Sequence, residues 1–156
     1  LLQEKEDQIL RFAAAMLEVQ EAYDYCIVDC GLLMDMTVTN VLVAADLVII
    51  PAKVGGFEIE AIENMQEQIE DLRSINPDIR TKVLMTMRQK NQTSLQVEGW
   101  LKETSGHDCF TTAVRRSIIA EKATMAHVPL PKFSKGCVVT QDYKNVVYEL
   151  LKDMEG

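Results

Sequence analysis

The protein is a chain of 156 residues with a net charge of −8 at pH 7, of which 47% are hydrophobic and 26% charged. This size and composition predict one folded domain over residues 1–156, with enough apolar side chains to bury a core. No apolar run approaches the roughly 20 residues of a membrane-spanning helix, so we predict a cytoplasmic protein without a membrane partner. The acidic net charge excludes a protein whose whole surface binds nucleic acid.

Predicted helices and strands alternate along the chain, because apolar residues recur at helical spacing in some segments and form short continuous runs in others. In chain order we predict a helix at 3–20, a strand at 25–29, a helix at 35–44, a strand at 47–51, a helix at 57–74, a strand at 81–86, a helix at 93–104, a strand at 109–114, a helix at 117–126, a loop at 129–133 and a helix at 140–154. Asp35 is a predicted N-cap.

This alternation is typical of an α/β fold with a mostly parallel sheet and flanking helices. Ligands of such sheets bind beyond the carboxyl ends of the strands, which here are Asp29 and residues 51–54, 86–89 and 114–117. A carboxylate where a buried strand meets its loop is costly unless it holds a metal, a water network or a helix N-terminus. The pattern of Asp29 fits equally an Asp that caps the following turn.

Two long stretches carry a resemblance to a known family. Residues 23–30 read Tyr-Asp-Tyr-Cys-Ile-Val-Asp-Cys, and residues 40–51 read Asn-Val-Leu-Val-Ala-Ala-Asp-Leu-Val-Ile-Ile-Pro. Together they resemble the ParA/MinD family of deviant Walker ATPases, whose Walker B strand ends in Asp-Cys. Residues 83–87 (Val-Leu-Met-Thr-Met) and 134–137 (Ser-Lys-Gly-Cys), with Asp142-Tyr143 after them, are similar to later segments of the same family.

The resemblance implies a P-loop NTPase-like fold and Mg²⁺-dependent ATP hydrolysis, coupled to an ATP-bound homodimer. It also implies non-specific DNA binding and a ParB-like partner that stimulates hydrolysis while plasmids, chromosomes or other cargo are positioned. Carried over by position, Asp29 matches the acid that organises Mg²⁺. The loops that line the adenine in this family match five residues: Met87, Arg88, Val114, Arg115 and Arg116.

Basic residues cluster between positions 112 and 135, against Glu121 alone. Such a stretch predicts either contact with a phosphate backbone or a solvated surface. The candidate DNA contacts are Arg115, Arg116, Lys122 and Lys135.

Several departures bear on these expectations. Gly31-Leu32 replaces the family's Pro-Pro, Gln89 replaces an acid, and residues 115–119 keep one of two family arginines. The sequence also contains no G-x-x-x-x-G-K-[ST] phosphate-binding loop, whose backbone amides and lysine would hold the phosphates. We therefore expect that this segment alone does not hydrolyse ATP.

Three interpretations follow. The chain begins without Met inside a helical pattern, which favours the C-terminal portion of a ParA-like ATPase whose first strands and phosphate loop lie upstream; an uncovered sheet edge would then promote self-association. The alternative is a catalytically degenerate module that serves binding or dimerisation. A receiver-like α/β domain fits the strand pattern, but we cannot place the acid pair and lysine that it needs.

Overall fold

The computed structural model describes residues 8–31, 34–53 and 58–155. The strands are β1 (Leu47–Lys53) and β2 (Arg80–Thr86), and the α-helices are α1 (Arg11–Leu17), α2 (Met36–Ala44), α3 (Glu58–Asp71), α4 (Gln92–Gly99), α5 (Ile118–Met125), α6 (Leu130–Phe133) and α7 (Val138–Glu155). Short 3-10 turns cover Gln20–Ala22 and Leu72–Ser74, and a π-helical turn, Trp100–Thr104, extends α4.

The chain forms two compact units, one of the residues up to Val48 with Asn64–Arg80, and one of Ile49–Glu63 with the residues from Thr81 onward. Nothing in this division tests the predicted single domain, which stays a prediction. Within the described ranges no helix is long and apolar enough to cross a membrane.

In the first unit, helix α2 is closed at both ends by side chains. The carboxylate of Asp35 accepts the Val38 N–H at 2.9 Å, so the predicted N-cap is confirmed. The side-chain amide of Asn76 donates to the carbonyl of Ala45 at 2.9 Å, next to the end of the helix. Both contacts satisfy backbone groups that helix ends leave unpaired.

The predicted strand at 25–29 is wrong. Residues 25–31 have no strand conformation, and the Ile27 side chain is 94% exposed. A strand requires a neighbour that accepts and donates backbone hydrogen bonds. Among the described residues, the strands and bridges provide no such neighbour for this segment.

In the second unit, β2 is the central element of the sheet. β1 lies parallel to it on one side, and residues 109–116 lie parallel to it on the other. This third segment pairs with β2 through two isolated bridges, Val83 with Cys109 and Arg88 with Arg115. The predicted strand at 109–114 is therefore present in part.

An excursion at Thr111–Ala113 interrupts that third segment. The Val83 carbonyl accepts the Phe110 N–H at 2.9 Å, and the Met85 carbonyl accepts the Val114 N–H at 2.8 Å. A step of two residues along β2, from Val83 to Met85, is thus matched by a step of four along the partner, from Phe110 to Val114, as in a β-bulge. The excursion leaves the N–H groups of Thr111 and Thr112 without a strand partner, and a carboxylate of α7, that of Glu149, accepts both.

Helices cover both faces of β2. On one face Leu84 packs in a core cluster with Phe110, Val139 and Val146, so that α7 lies over the sheet. On the other face Val83, Met85 and Leu101 line one small cavity. Alternate residues of β2 therefore contact opposite layers, as the period of a strand requires.

A buried cation lies between β2 and α7. Lys82 is 8% exposed, its Nζ lies 5.0 Å from the centre of the Phe110 ring, and it pairs with Asp153, with Asp108 at 3.7 Å and with Glu149 at 4.0 Å. Burial by itself lowers the pKa of Lys82, but the hydrogen bond to Asp153 and the three carboxylate charges outweigh burial and raise it.

The prediction of a loop at 129–133 is also wrong, because residues 130–133 form the single turn α6. Pro131 stands in the first turn of that helix, where a missing N–H removes no helical hydrogen bond. The predicted α/β fold, with parallel strands and helices on both faces, is confirmed.

Candidate functional site

The structure brings together the two loops that follow the carboxyl ends of β2 and the third segment. The Arg88 N–H donates to the carbonyl of Val114 at 3.0 Å, and the Arg116 N–H donates to the carbonyl of Arg88 at 3.0 Å. The five predicted nucleotide-side residues therefore lie on two backbones joined by hydrogen bonds. This adjacency follows from the parallel order of the segments.

The turn after β2 has an uncommon backbone. Met87 adopts φ 52° and is 46% exposed, in the left-handed region that non-glycine residues seldom occupy. Just beyond it, the Gln89 N–H donates to Oγ of Ser94, which is 1% exposed, at 3.2 Å. A buried hydroxyl of α4 thus holds the outgoing chain. Residues with such backbones are common at functional sites, where the surrounding structure fixes them.

Next to these loops lies an open polar depression of about 240 Å³. Two arginines, two carboxylates and two small residues line it: Arg88, Arg115, Glu98, Asp142, Thr111 and Ala113. Each arginine is paired with one carboxylate, so the lining is close to neutral.

The tighter of the two pairs joins the third segment to α7. Asp142 is 4% exposed and accepts three hydrogen bonds from Arg115: from Nε at 2.9 Å, from Nη2 at 2.5 Å and from the backbone N–H at 3.1 Å. The Arg115 guanidinium is the main cause that holds the pKa of Asp142 below its ordinary value, against the opposing effect of burial. A two-pronged contact of this kind fixes orientation as well as charge.

The second pair joins the β2 loop to α4. Nε of Arg88 donates to Glu98 at 2.7 Å, and Nζ of Lys102 donates to the same carboxylate at 3.0 Å and to the Thr111 carbonyl at 3.0 Å. Burial raises the pKa of Glu98, but the hydrogen bonds from Arg88 and Lys102 more than offset burial and lower it. Two cations thus share one carboxylate on this side.

The basic residues proposed for DNA contact are in different states. Arg115 is held by Asp142, whereas the side chain of Arg116 is 56% exposed and lies 3.8 Å from an exposed acid, Glu121. Lys122, on α5, and Lys135, in the turn before α7, are exposed. Arg115 therefore differs from the other three candidates, because a buried carboxylate binds its side chain.

Asp29 belongs to the first unit and is exposed. In the part of the chain that the structure describes, no group of three His, Cys, Asp or Glu side chains is arranged to hold a metal ion. Mg²⁺ demands near-octahedral oxygen ligation, to which Asp29 would add a single carboxylate. These residues therefore do not fit a complete Mg²⁺ site.

The sequence did not single out Glu98, Asp142 or Glu149 as site residues, although a signal for the last two is present. Positions 139, 142, 146 and 149 form one stripe of α7, and they alternate Val, Asp, Val, Glu. Acids on the apolar stripe of a helix must have partners inside the fold. The identity of those partners could not be read from the sequence.

Comparison with known proteins agrees with the fold. A family model described as AAA domain matches residues 1–81, just over half of the chain. The chromosome partitioning protein ParA of Caulobacter vibrioides is 25% identical over 145 residues, which cover 91% of this chain and 54% of that protein.

Two solved structures are similar in fold. The apo McdA of Cyanthece has a TM-score of 0.76 at 15% identity, covering 92% of this chain and 59% of that one. A plasmid partition protein from Borrelia burgdorferi has a TM-score of 0.60 at 16% identity, covering 90% and 53%. The chain spans about half the length of the curated relatives that it matches.

The chain therefore belongs to the AAA domain family matched over residues 1–81, and it is a member of the ParA-like P-loop ATPase superfamily. The resemblance to the ParA/MinD family at the level of the sequence is confirmed in that form.

Proposed function

We propose that this chain is the C-terminal portion of a ParA-like partitioning ATPase, and that it supplies the base side of the nucleotide site. In the intact protein, ATP and Mg²⁺ would drive formation of a homodimer that binds DNA without sequence preference and positions a plasmid, a chromosome or another cargo. A ParB-like partner would stimulate hydrolysis.

The observation that carries the proposal is the pairing of two loops at the carboxyl edge of the sheet. Residues 87–88 and 114–116 are joined by backbone hydrogen bonds of 3.0 Å. A helix side chain also binds each loop: Ser94 accepts the N–H that follows the first loop, and Asp142 accepts an N–H of the second. These hydrogen bonds fix the two loops, and loops fixed in this way would give a nucleotide base a preformed surface.

The residues of this chain would bind and orient the nucleotide rather than transfer the phosphoryl group. In P-loop ATPases the bound Mg²⁺ neutralises charge on the phosphates. Met87, Arg88 and Val114–Arg116 would hold the base. For Asp29 the family resemblance implies the role of the acid that organises Mg²⁺. Because the sequence lacks the phosphate-binding loop, the 156-residue segment by itself is not expected to hydrolyse ATP.

The test uses the protein translated from the complete reading frame. Mg²⁺-dependent ATP turnover is measured for the wild type, for Asp29→Ala and for Asp24→Ala, a matched control five residues earlier in the same exposed segment. Loss of one charge-stabilising group should lower turnover on the order of 100-fold in Asp29→Ala. The control should keep wild-type turnover. Equal turnover in all three proteins would remove Asp29 from the site.

Two observations favour a second candidate, a catalytically degenerate module for binding or dimerisation. The segment that contains Asp29 is exposed and pairs with no strand in the part of the chain that the structure describes, and Gln89 replaces the family's acid. This candidate predicts a wild-type protein that self-associates in solution yet shows no turnover. Light scattering beside the turnover assay separates the two candidates.

A further inference from the structure

Helix α7 carries two carboxylates that hold the third segment at two places. Asp142 accepts three hydrogen bonds from Arg115, and Glu149 accepts the N–H groups of Thr111 at 2.6 Å and of Thr112 at 3.1 Å. The two acids are seven residues apart, which places them on the same side of a helix two turns apart. Every one of these partners lies in or beside the excursion at Thr111–Ala113.

The two contacts together determine the path of the loop that follows. Before the excursion the segment is paired with β2 at Cys109, and after it the pairing resumes at Val114 and Arg115. Glu149 binds the start of the excursion, and Asp142 binds Arg115, where the pairing with β2 has resumed. The position of residues 114–116 beside Arg88 therefore depends on α7 as well as on β2.

The contact with Asp142 also determines what Arg115 can do. Its Nε, its Nη2 and its backbone N–H are all directed to one buried carboxylate, so one edge of the guanidinium is bound within the protein. This two-pronged contact fixes the orientation of the side chain. The side chain of Arg116 is 56% exposed and that of Arg115 is 43% exposed, so both arginines of this loop reach the surface.

We propose that Asp142 and Glu149 are positioning residues for the nucleotide-side loop, and that they set nucleotide affinity without touching the nucleotide. By holding residues 114–116 against Arg88 before a ligand arrives, they remove the cost of ordering this loop on binding. The inference rests on the proposed function, because it concerns the affinity of the same site.

The experiment measures affinity for a slowly hydrolysed ATP analogue in the intact protein, by a fluorescence titration with Mg²⁺ present. Asp142→Asn and Glu149→Gln keep the size of each side chain and remove its charge. Each should weaken analogue binding about 10-fold, because residues 114–116 would then have to become ordered when the analogue binds. Glu121→Gln is the matched control, since Glu121 also faces an arginine but is exposed and 3.8 Å away. It should bind as the wild type does.

A role confined to overall stability would lower the melting temperature and leave the affinity of the folded protein unchanged. A double-mutant cycle distinguishes the two cases. If Asp142 acts through Arg115, the pair Arg115→Gln with Asp142→Asn should bind no more weakly than either single variant. Additive losses, or unchanged affinity in both single variants, would overturn the inference.

A wild-type protein that binds no nucleotide would overturn the proposed function and this inference together, whereas wild-type binding with unaltered variants overturns the inference alone. Should Asp142→Asn fail to fold, Glu149→Gln still tests the first contact, and Arg115→Lys tests the second with its charge retained. Lysine cannot reproduce the two-pronged contact, so this variant should also lose affinity.

Discussion

Two segments that the sequence predicts as strands differ in strand pairing and in burial. Residues 25–29 (Tyr-Cys-Ile-Val-Asp) and residues 109–114 (Cys-Phe-Thr-Thr-Ala-Val) were both predicted as strands. The first pairs with no strand among the described residues and exposes Ile27 at 94%, whereas the second pairs with β2 and buries Phe110 to 2%. An apolar run predicts where a strand can form, and the presence of a neighbouring strand decides whether it does.

The largest expected effect tests this contrast with one substitution in each segment. Phe110→Ala removes a buried ring from the core cluster of the second unit and should lower the free energy of unfolding by about 3–5 kcal/mol. Ile27→Ala removes an exposed side chain and should change it by less than about 0.5 kcal/mol. Urea denaturation of the 156-residue protein, followed by circular dichroism, measures both.

The comparison would fail if the two variants lost similar stability. A large loss in Ile27→Ala would mean that the segment around Ile27 is covered in solution, by self-association or by another part of the molecule. Repeating the measurement over a range of protein concentrations separates these two, because only association makes the loss depend on concentration.

The second prediction concerns how the second unit holds its central strand. Lys82→Met keeps an apolar stem against Phe110 but leaves Asp108, Glu149 and Asp153 without their shared cation. Removing one member of a largely buried ion pair is strongly destabilising, and partial exposure of the partners reduces the expected loss to about 2–3 kcal/mol. Since the pKa of Lys82 is raised above 10.5, this stabilisation is complete below pH 10.5 and is lost as the pH rises through the raised value.

Denaturation at pH 7, 9 and 11 checks that sign. The difference between the wild type and Lys82→Met should be the same at pH 7 and pH 9, and smaller at pH 11. Lys152→Met, at an exposed position on α7 near Glu149 and Asp153, is the control and should show a small difference at every pH. A difference that grows toward alkaline pH would contradict the ion-pair explanation.

A third prediction addresses the contact between Arg115 and Asp142. Asp142→Asn should lower the free energy of unfolding by about 1.5 kcal/mol at pH 7, the usual contribution of a hydrogen bond to a charged group. The pKa of Asp142 is depressed below 3.8, so this contribution is present above pH 3.8 and is lost as the pH falls through the depressed value. The gap between the two proteins should therefore narrow in acid.

Titration of unfolding from pH 7 down to pH 2 measures the gap, with Glu121→Gln as an exposed control. A gap that is unchanged at pH 2 would show that the loss in Asp142→Asn comes from packing and not from charge. A gap that appears only in acid would reverse the sign and contradict the structure.

Much of the fold could be predicted because it rests on local signals. The helices α2, α3, α5 and α7 and the strands β1 and β2 lie close to their predicted positions. Their apolar spacing, the cap at Asp35 and the breaks at Asn76-Pro77 are written in neighbouring residues. The positions of the site loops also followed, since the carboxyl ends of parallel strands meet at one edge.

The remaining features depend on residues far apart in sequence. Nothing near Arg115 indicates that its partner is Asp142, 27 positions later, or that Glu149 accepts the amides of Thr111 and Thr112. The failure at residues 25–29 has the same origin, because strand pairing is a non-local event. The turn at α6 was missed for a different reason, since two prolines within three residues more often indicate a loop.

The smallest expected effect concerns the N-cap of α2, which follows residues 25–29. Asp35 follows that segment and caps α2 through a hydrogen bond of 2.9 Å to the Val38 N–H. Asp35→Ala should cost about 1 kcal/mol of unfolding free energy, whereas Asp35→Asn, which can still accept that bond, should cost a few tenths. Denaturation of both variants beside the wild type measures the difference.

Equal losses in the two variants would indicate that charge, and not the cap, is what Asp35 contributes. A full loss in alanine alone would show that the helix signal operates normally at the start of α2, although the described residues give the preceding segment 25–29 no strand partner.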